Sequence, residues 1–261
     1  WRGLNLLGKI LTRVRDEIRS QRQQDGDSSP TSTETKRKLP AGAKIVYMIR
    51  HGQSEGQAAT RKERKHSSMR DCDLTRKGRK EAEGVSRIMA KEDFDSIELV
   101  VSSPLTRALH TSLLAFPTKN VIVNYELGEL GGGIPENVPR KMEDVLKDLR
   151  TPLSYRNETL RLDTASLQPA GWPQLSESEG SKKTKERIQN ALRWLAAERE
   201  ESTIAVVCHY NVIREAVEDG KSLSPANATP IRCCLQPSGE LVLAQEFKIT
   251  HYCAANQIES G

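Results

Sequence analysis

The sequence predicts an α/β fold: a three-layer α/β/α sandwich with a mostly parallel central sheet and an antiparallel edge. Two observations lead to this prediction. Short apolar runs rich in β-branched residues alternate with longer stretches of helical periodicity, which is the pattern of successive βαβ units. Near the end of the chain, two apolar runs instead flank the turn sequence Gln-Pro-Ser-Gly-Glu, and this predicts a β-hairpin at the edge of the sheet.

The individual elements follow from local patterns. The predicted strands are Ile45–Ile49, Ile97–Ser102, Val121–Tyr125, Thr203–Cys208, Ile231–Leu235 and Leu241–Phe247. The predicted helices are Thr75–Ala90, one with Pro104 in its first turn, Arg140–Leu149, Ser181–Glu200 and one that starts at Asn211. Loops or irregular structure are expected over Gln53–Arg70, Gly128–Pro139 and Thr151–Gly180. The first strand is five apolar residues long, so we expect it to be buried and central in the parallel part of the sheet.

Three parts of the chain are predicted: residues 1–43, residues 44–250 as one folded domain, and a C-terminal tail of residues 251–261. The first part has apolar residues at helical spacing with arginines between them, followed by a polar segment that predicts a disordered linker. Three interpretations of this basic amphipathic helix compete: packing on the domain, contact with a membrane surface or partner, or part of an organelle-targeting peptide. The favoured interpretation is a loosely attached helix. Because the chain begins with Trp1 instead of Met, we expect a fragment or a processed product.

Charge and cysteine content exclude several classes of function. The net charge is +5, but residues 1–43 hold nine Lys/Arg against five Asp/Glu, and the rest holds 31 against 30. The folded domain is thus nearly neutral, and no nucleic-acid partner is expected. The five cysteines form no Cys-x-x-Cys pair, which favours a reducing intracellular compartment, the cytoplasm ahead of an organelle, and argues against a zinc site. No metal or cofactor is predicted, and no apolar run approaches the roughly 18 residues that span a bilayer.

Arginine and histidine side chains, which can bind anions or take part in catalysis, follow three of the predicted strands. The first strand ends in Arg50-His51-Gly52, the second leads into a helix that carries Arg107, and the strand Thr203–Cys208 ends in His209. In open α/β sheets, ligands bind beyond the carboxyl ends of the strands. Each of these residues alone has an ordinary structural explanation, but the four together at one sheet edge favour a functional site.

Four stretches carry a resemblance to a known family: Lys44–Gly52, Asp71–Gly78, Val100–Thr111 and Thr203–Asn211. In this order and spacing they resemble the histidine phosphatase superfamily, with its phosphoglycerate mutase-like fold, over roughly Lys44 to Phe247. The resemblance implies that His51 is the nucleophile that becomes phosphohistidine and that Arg50 and Arg107 hold the phosphate. It also implies that His209 donates hydrogen bonds to the phosphoryl oxygens. This chemistry suits the residues, because an unprotonated histidine is a nucleophile and arginine binds phosphate oxygens bidentately.

The leaving group of a phosphomonoester needs a proton, which a carboxylic acid can supply. The family's acid usually follows the third strand in a Leu-x-Glu context, and Leu127-Gly128-Glu129 matches that context. Glu129 is therefore the predicted general acid, with Glu126 and Glu136 as nearby competitors. His66, His110 and His251 have no such context and are predicted to lie on a helix face or on the surface.

The chain departs from the family pattern at two positions. After Arg-His-Gly the family often has Ser and then Asn; here Ser54 is present, but Gln57 replaces the asparagine. Both are predicted to bind phosphate. The residue after the second histidine is commonly glycine, whereas here it is Tyr210, which leaves the shape of the pocket rim open.

The function predicted from the resemblance is a metal-independent phosphatase that acts on a small-molecule phosphomonoester or a phosphoprotein. The loop after the first strand lacks the Trp and Asn pattern of true phosphoglycerate mutases, so a mutase is the second hypothesis. A catalytically weak phosphate-binding or scaffold protein is the third. The loop instead contains the basic residues of Arg61–His66, either a solvated charge run or a rim that attracts an anionic substrate. Neither the substrate nor the oligomeric state is predicted.

Overall fold

The computed structural model describes residues 39–131, 133–154, 161–164 and 181–244. The predicted N-terminal helix, most of its linker, the C-terminal tail and much of the stretch Thr151–Gly180 lie outside the described residues. The strands are β1 Lys44–Arg50, β2 Leu99–Ser102, β3 Val121–Val123, β4 Leu162–Asp163, β5 Thr203–Cys208, β6 Pro230–Leu235 and β7 Leu241–Leu243. The helices are α1 Glu55–Ala58, α2 Arg76–Glu83, α3 Val85–Ile88, α4 Lys91–Asp95, α5 Thr106–Ala115, α6 Met142–Ser154, α7 Ser181–Ala197 and α8 Tyr210–Ala216.

Within the described part of the chain, the strands form one sheet in the order β4-β3-β2-β5-β1-β6-β7. The neighbours from β4 to β1 are parallel, and β6 and β7 are antiparallel. The predicted fold class, a mostly parallel sheet with an antiparallel edge, is confirmed. The expectation that β1 lies between parallel strands is wrong on one side: β1 is inside the sheet, but it pairs with β5 in parallel and with β6 in antiparallel register.

Both faces of the sheet are covered, as the continuous apolar runs require. In β1, Val46 and Met48 contact one hydrophobic core, and Tyr47 and Ile49 contact the other. Helices α7 and α8 contribute to the first core, and α3, α5 and α6 contribute to the second. Successive strand residues point to opposite faces, so this alternation builds the three predicted layers.

Several predicted helix boundaries are wrong, because individual residues and their hydrogen bonds decide where a helix begins and ends. The helix predicted over Thr75–Ala90 is two helices, α2 and α3, which meet at Gly84. The N–H of Gly84 donates to the carbonyls of Lys80 and Glu81, and glycine is a poor residue for continuing a helix. Helix α5 begins at Thr106, so Pro104 precedes this helix and is not in its first turn.

Other corrections concern stretches predicted to be irregular. The loop predicted over Gln53–Arg70 contains α1 and two 3₁₀ turns, Glu63–Lys65 and Ser67–Met69. Helix α6 continues past Leu149 to Ser154, and β4 lies within the stretch predicted to be an irregular excursion. A strand of two residues is too short to show any periodicity. The predicted hairpin is confirmed as β6 and β7. Among the described residues, no helix is long and apolar enough to cross a membrane.

Candidate active site

The carboxyl ends of β1, β2 and β5 meet at one edge of the sheet because these strands are parallel neighbours. Arg50 is the last residue of β1 and His51 follows it; β2 leads into α5, which carries Arg107; and His209 follows β5. The structure brings all four residues together: Arg107 contacts the imidazole of His51, and the His51 and His209 rings lie 5.1 Å apart between centroids.

The imidazole of His51 is held in one tautomer. Its Nδ1 lies 2.7 Å from the carbonyl oxygen of Gly52, and because a carbonyl only accepts, Nδ1 carries the hydrogen. The other nitrogen, Nε2, therefore has a free lone pair, to which Nε of Arg107 donates at 3.2 Å. Burial lowers the pKa of His51 well below its ordinary value, and the positive charges of Arg107 and Arg50 lower it further. The imidazole is thus neutral at neutral pH, and Nε2 has the lone pair that a nitrogen nucleophile requires.

The backbone around His51 is fixed from three directions. Asn227 donates from Nδ2 to the carbonyl of His51 at 2.7 Å, and the N–H of Gly52 donates to Oγ1 of Thr111 on α5 at 3.0 Å. Gly52 also lies against α2 so closely that a Cβ there would be 2.3 Å from the carbonyl oxygen of Gly78. Only glycine fits this approach, which explains the glycine after the histidine.

Arg107 is buried, and its guanidinium is oriented by the loop before α6. Its Nη1 donates to the carbonyl of Glu136 at 2.5 Å, and its Nη2 donates to Oδ1 of Asn137 at 2.9 Å. The start of α5 is held by Asp71, whose carboxylate accepts from both the N–H and the hydroxyl of Thr106 at 2.8 Å. Burial raises the pKa of Asp71 to about 6, although these hydrogen bonds oppose the shift.

Arg50 is oriented by different means. Its Nη1 donates to the carbonyl of Pro225 at 3.0 Å, and its Cζ lies 5.0 Å from the centroid of the Tyr210 ring. The guanidinium of Arg214 lies 5.3 Å from the same centroid. An aromatic face attracts a cation without neutralising it. The bulky residue at position 210 thus helps to orient the guanidinium of Arg50.

His209 is fully buried and held by one ring nitrogen. Its Nε2 lies 2.6 Å from Oγ of Ser103, in the turn between β2 and α5, whereas its Nδ1 has no hydrogen-bond partner among the described residues. Burial lowers the pKa of His209 well below its ordinary value, and the charge of Arg107 adds to the effect. Buried polar atoms usually have a hydrogen-bond partner, whereas Nδ1 of His209 has none among the described residues. This nitrogen is therefore free to bond with a ligand.

Glu129 is buried near Arg50 and Arg107. Its Oε1 accepts from the N–H of Leu130 at 2.8 Å. Burial raises the pKa of Glu129, and the Leu130 N–H and the charges of Arg107 and Arg50 oppose that shift. A carboxyl group that keeps its proton to a higher pH is suited to donate it.

The two competing carboxylates are placed differently. Glu136 is ion-paired with Arg64. Burial also raises the pKa of Glu126, but its side chain bonds to Asn190 on α7. The loop that carries Glu129 is fixed by Arg187 of α7, which donates to the carbonyls of Glu126 and Gly128.

Ser54 and Gln57 form a capping box at the start of α1. Oγ of Ser54 accepts from the N–H of Gln57 at 3.2 Å, and Oε1 of Gln57 accepts from the N–H of Ser54 at 3.1 Å. Gln57 also bonds to the side chain of Asn227. The longer amide at position 57 thus braces the loop that holds His51, and phosphate binding by either residue stays a prediction.

The structure adds four positioning residues that the sequence analysis did not single out: Asp71, Ser103, Arg187 and Asn227. Asp71 and Ser103 lie inside the stretches that carry the family resemblance, so their position was a usable signal. Arg187 and Asn227 have no local pattern in the sequence that could have identified them.

Of the remaining histidines, His110 is buried on α5 with Nδ1 2.9 Å from Oδ1 of Asp73, and His66 is exposed as predicted.

No group of three or more His, Cys, Asp or Glu side chains in the described ranges is arranged to hold a metal ion. His251 lies outside those ranges. The guanidinium groups of Arg107 and Arg50 lie close enough to His51 to lower its pKa.

Several solved structures of other proteins are similar to this chain. A phosphoglycerate mutase from Bacillus anthracis is 17% identical, with a TM-score of 0.50, over 77% of this chain and 91% of that chain. An α-ribazole phosphatase from Shigella flexneri is 18% identical with a TM-score of 0.49, over 76% and 94% of the two chains. A phosphoserine phosphatase from Entamoeba histolytica is 20% identical with a TM-score of 0.48, over 77% and 94%.

These identities are low, and the likeness concerns the fold alone. No curated protein sequence matches the chain. The sequence model of the histidine phosphatase superfamily, branch 1, matches residues 46–237, which contain the whole cluster around His51. The chain therefore belongs to the histidine phosphatase superfamily.

Proposed function

We propose that this chain is a phosphomonoesterase that works through a phosphohistidine on Nε2 of His51. The observation that carries the proposal is the state of that nitrogen. It bears no hydrogen, because Nδ1 donates to Gly52, and the guanidinium of Arg107 lies beside it. A neutral imidazole next to fixed positive charge is suited to attack a phosphoryl group, whose negative charge the arginines stabilise.

In the first step, Nε2 of His51 forms a bond to phosphorus while the bond from phosphorus to the ester oxygen breaks. Glu129 gives its proton to that oxygen, so the product leaves as a neutral alcohol. Arg50 and Arg107 hold the nonbridging oxygens, and His209 donates a hydrogen bond to them. Arg107 now bonds Nε2 itself, and this bond is replaced by one to phosphate when substrate binds.

In the second step, water attacks phosphorus and the bond from phosphorus to Nε2 breaks. The carboxylate of Glu129 takes a proton from the water, which returns both residues to their starting states. A mutase would instead return the phosphoryl group to a sugar acid. The phosphatase is favoured because the loop after β1 lacks the Trp and Asn pattern of true mutases.

Trapping the intermediate tests the proposal. The protein is mixed with a ³²P-labelled phosphomonoester and quenched in alkali, in which phosphohistidine is stable, or in acid, in which it is lost. We expect alkali-stable, acid-labile label on a peptide that contains His51, together with release of inorganic phosphate. Label on a serine or aspartate would contradict the mechanism. Phosphate transfer to a sugar acid that requires a bisphosphorylated primer would indicate a mutase.

Removal of metal ions is expected to leave the activity intact. The positive charge that metal-dependent phosphatases take from a cation is supplied here by Arg50 and Arg107. The measurement is hydrolysis of p-nitrophenyl phosphate after extended dialysis against EDTA, with and without added Mg²⁺ or Zn²⁺. A loss of activity on dialysis that either ion restores would show that a cation takes part.

Replacing the proposed acid is expected to affect substrates unequally. Glu129→Gln keeps the shape of the side chain but removes its proton, so hydrolysis of an alkyl phosphate should fall by about 10²–10⁴-fold. The loss on p-nitrophenyl phosphate should be much smaller, because p-nitrophenolate leaves without a proton. The raised pKa of Glu129 sets the pH above which wild-type activity falls, and this basic limb should flatten in the variant.

Glu126→Gln is the matched control for this experiment. It removes a neighbouring carboxyl group whose pKa is also raised by burial, but whose side chain bonds to Asn190. We expect it to change the two substrates alike. If Glu129→Gln also lowers both rates equally, Glu129 has a binding or structural role and the acid is a different group.

A further inference from the structure

The six residues Arg61–His66, which we call the basic run, include positively charged side chains that are not part of the cluster around His51. Arg61, Lys62 and Lys65 are exposed, and none of the three forms an ion pair with a carboxylate among the described residues. The single acid of the run, Glu63, is occupied locally, since its Oε2 accepts from the N–H and the hydroxyl of Thr60 at 2.7 and 2.8 Å.

The basic run has a defined backbone conformation. The N–H of Arg64 donates to the carbonyl of Thr60 at 3.1 Å, and the N–H of His66 donates to the carbonyl of Glu63 at 2.8 Å. The side chain of Arg64 then pairs with the carboxylate of Glu136, which is buried. Only the glutamate of this ion pair is buried, since the side chain of Arg64 is 40% exposed and that of Glu136 is 8% exposed. The pair joins the basic run to the loop that carries Glu136, and its partial exposure limits its contribution to stability.

The same glutamate connects the basic run to the phosphate site. The carboxylate of Glu136 pairs with Arg64, and its carbonyl oxygen accepts from Nη1 of Arg107. Arg107 in turn donates to the nucleophilic nitrogen of His51. Glu136 thus links Arg64 of the basic run to Arg107, which places the run next to the loop that orients Arg107.

We propose that the basic run is a subsite for a second anionic group of the substrate, so that the substrate is a small phosphomonoester with a further phosphate or carboxylate. The proposal rests on the proposed function only in placing the reacting phosphate at His51. Arg50 and Arg107 are the cations beside the nucleophile, whereas the unpaired charges of Arg61, Lys62 and Lys65 lie outside that cluster. A substrate with one phosphate would leave these three charges without a partner.

The expected strength of this subsite follows from its exposure. Water and salt screen exposed charges, so each contact with an anion contributes modestly and weakens as ionic strength rises. Lysine is a compact charge on a flexible stem, which suits an anion whose position varies among substrates. The subsite should therefore strengthen binding without taking part in the chemical step.

Three ligands of equal length test the proposal: 1,4-butanediol monophosphate, 1,4-butanediol bisphosphate and 4-(phosphonooxy)butyrate. They differ only in the second end group, which is a hydroxyl, a phosphate or a carboxylate. Their dissociation constants are measured by calorimetry on the His51→Ala background, so that hydrolysis does not consume them. At low salt we expect the two ligands with a second anionic group to bind about tenfold more tightly than the monophosphate, a difference that high salt should largely remove.

The double variant Lys62→Gln/Lys65→Gln should reduce this preference to less than about threefold. The matched control is Lys91→Gln/Lys221→Gln, which removes the same charge from exposed positions that precede β2 and follow α8. The control should keep the full preference. Equal binding of all three ligands, or equal loss of preference in both double variants, would overturn the proposal.

Hydrolysis by the wild-type protein separates this proposal from the proposed function. If the preference is present in binding but no ester is hydrolysed, the basic run is an anion subsite and the proposed function is wrong. If esters are hydrolysed at equal kcat/KM with and without the second anion, the function stands and the subsite is wrong.

Discussion

His51→Ala is expected to lower the hydrolysis of any phosphomonoester by at least about 10⁴-fold, as removal of a covalent nucleophile does in other enzymes. The variant loses Nε2, the nitrogen that holds no hydrogen and lies beside Arg107. The fold should remain, because the hydrogen bonds of the imidazole are with its neighbour Gly52 and with the side chain of Arg107. Neither His51 nor Arg107 belongs to either hydrophobic core. Steady-state kinetics and circular dichroism measure the two effects.

His66→Ala is the control for this variant, because His66 is an exposed histidine that bonds only within its own turn. It should keep wild-type kinetics on p-nitrophenyl phosphate, which has no second anionic group for the basic run that contains His66. Wild-type activity in folded His51→Ala would refute the phosphohistidine mechanism. Loss of activity together with loss of the helical signal would mean that the variant had not folded, and His51→Gln, which has a similar volume, would then be measured.

The second large effect is expected for Arg107→Gln, which should lower kcat/KM by about 10²–10³-fold, the usual cost of removing a charge-stabilising donor. The pH profile should also move. Arg107 lowers the pKa of His51, so without it His51 becomes protonated at a higher pH and the acidic limb shifts upward. Arg107 also lowers the pKa of Glu129, so the basic limb should shift upward as well.

Arg107→Lys separates charge from geometry. A lysine keeps the positive charge near His51 but cannot bond Glu136, Asn137 and phosphate with a planar fork. Its pH limbs should stay near the wild-type positions while kcat/KM remains low. Arg193→Gln, which removes an exposed arginine on α7, should change neither property. Unmoved limbs in Arg107→Gln would show that Arg107 does not control the protonation of His51.

The sequence predicted the architecture well because the relevant signals are local. A run of five apolar residues before Arg50 predicts a buried strand. The alternation of strands and helices predicts parallel strands, whose carboxyl ends meet at one edge of the sheet. Boundaries were less predictable. The split of the helix at Gly84 and the start of α5 at Thr106 depend on a few hydrogen bonds, and those of Thr106 are to Asp71, which is distant in sequence.

In the candidate site, too, some residues were predictable from local patterns and others were not. Arg50, His51, Arg107 and His209 could be placed together because each follows the carboxyl end of a parallel strand or lies in the helix after one. Glu129 was identified only by its Leu-x-Glu context, and the structure adds the physical reason for choosing it over Glu136: Glu129 is buried near both phosphate arginines, whereas Glu136 is paired with Arg64.

By itself, the sequence determined the fold class, the edge of the sheet that holds the site, and the four residues that meet there, because strand direction and apolar periodicity are local properties. Only the tertiary structure decided which nitrogen of His51 carries the hydrogen, and which way burial shifts the pKa of His51 and Glu129. It also brought in Asn227 and Arg187 as supports. These properties depend on contacts between residues far apart in the chain, and such contacts leave no periodic signal along it.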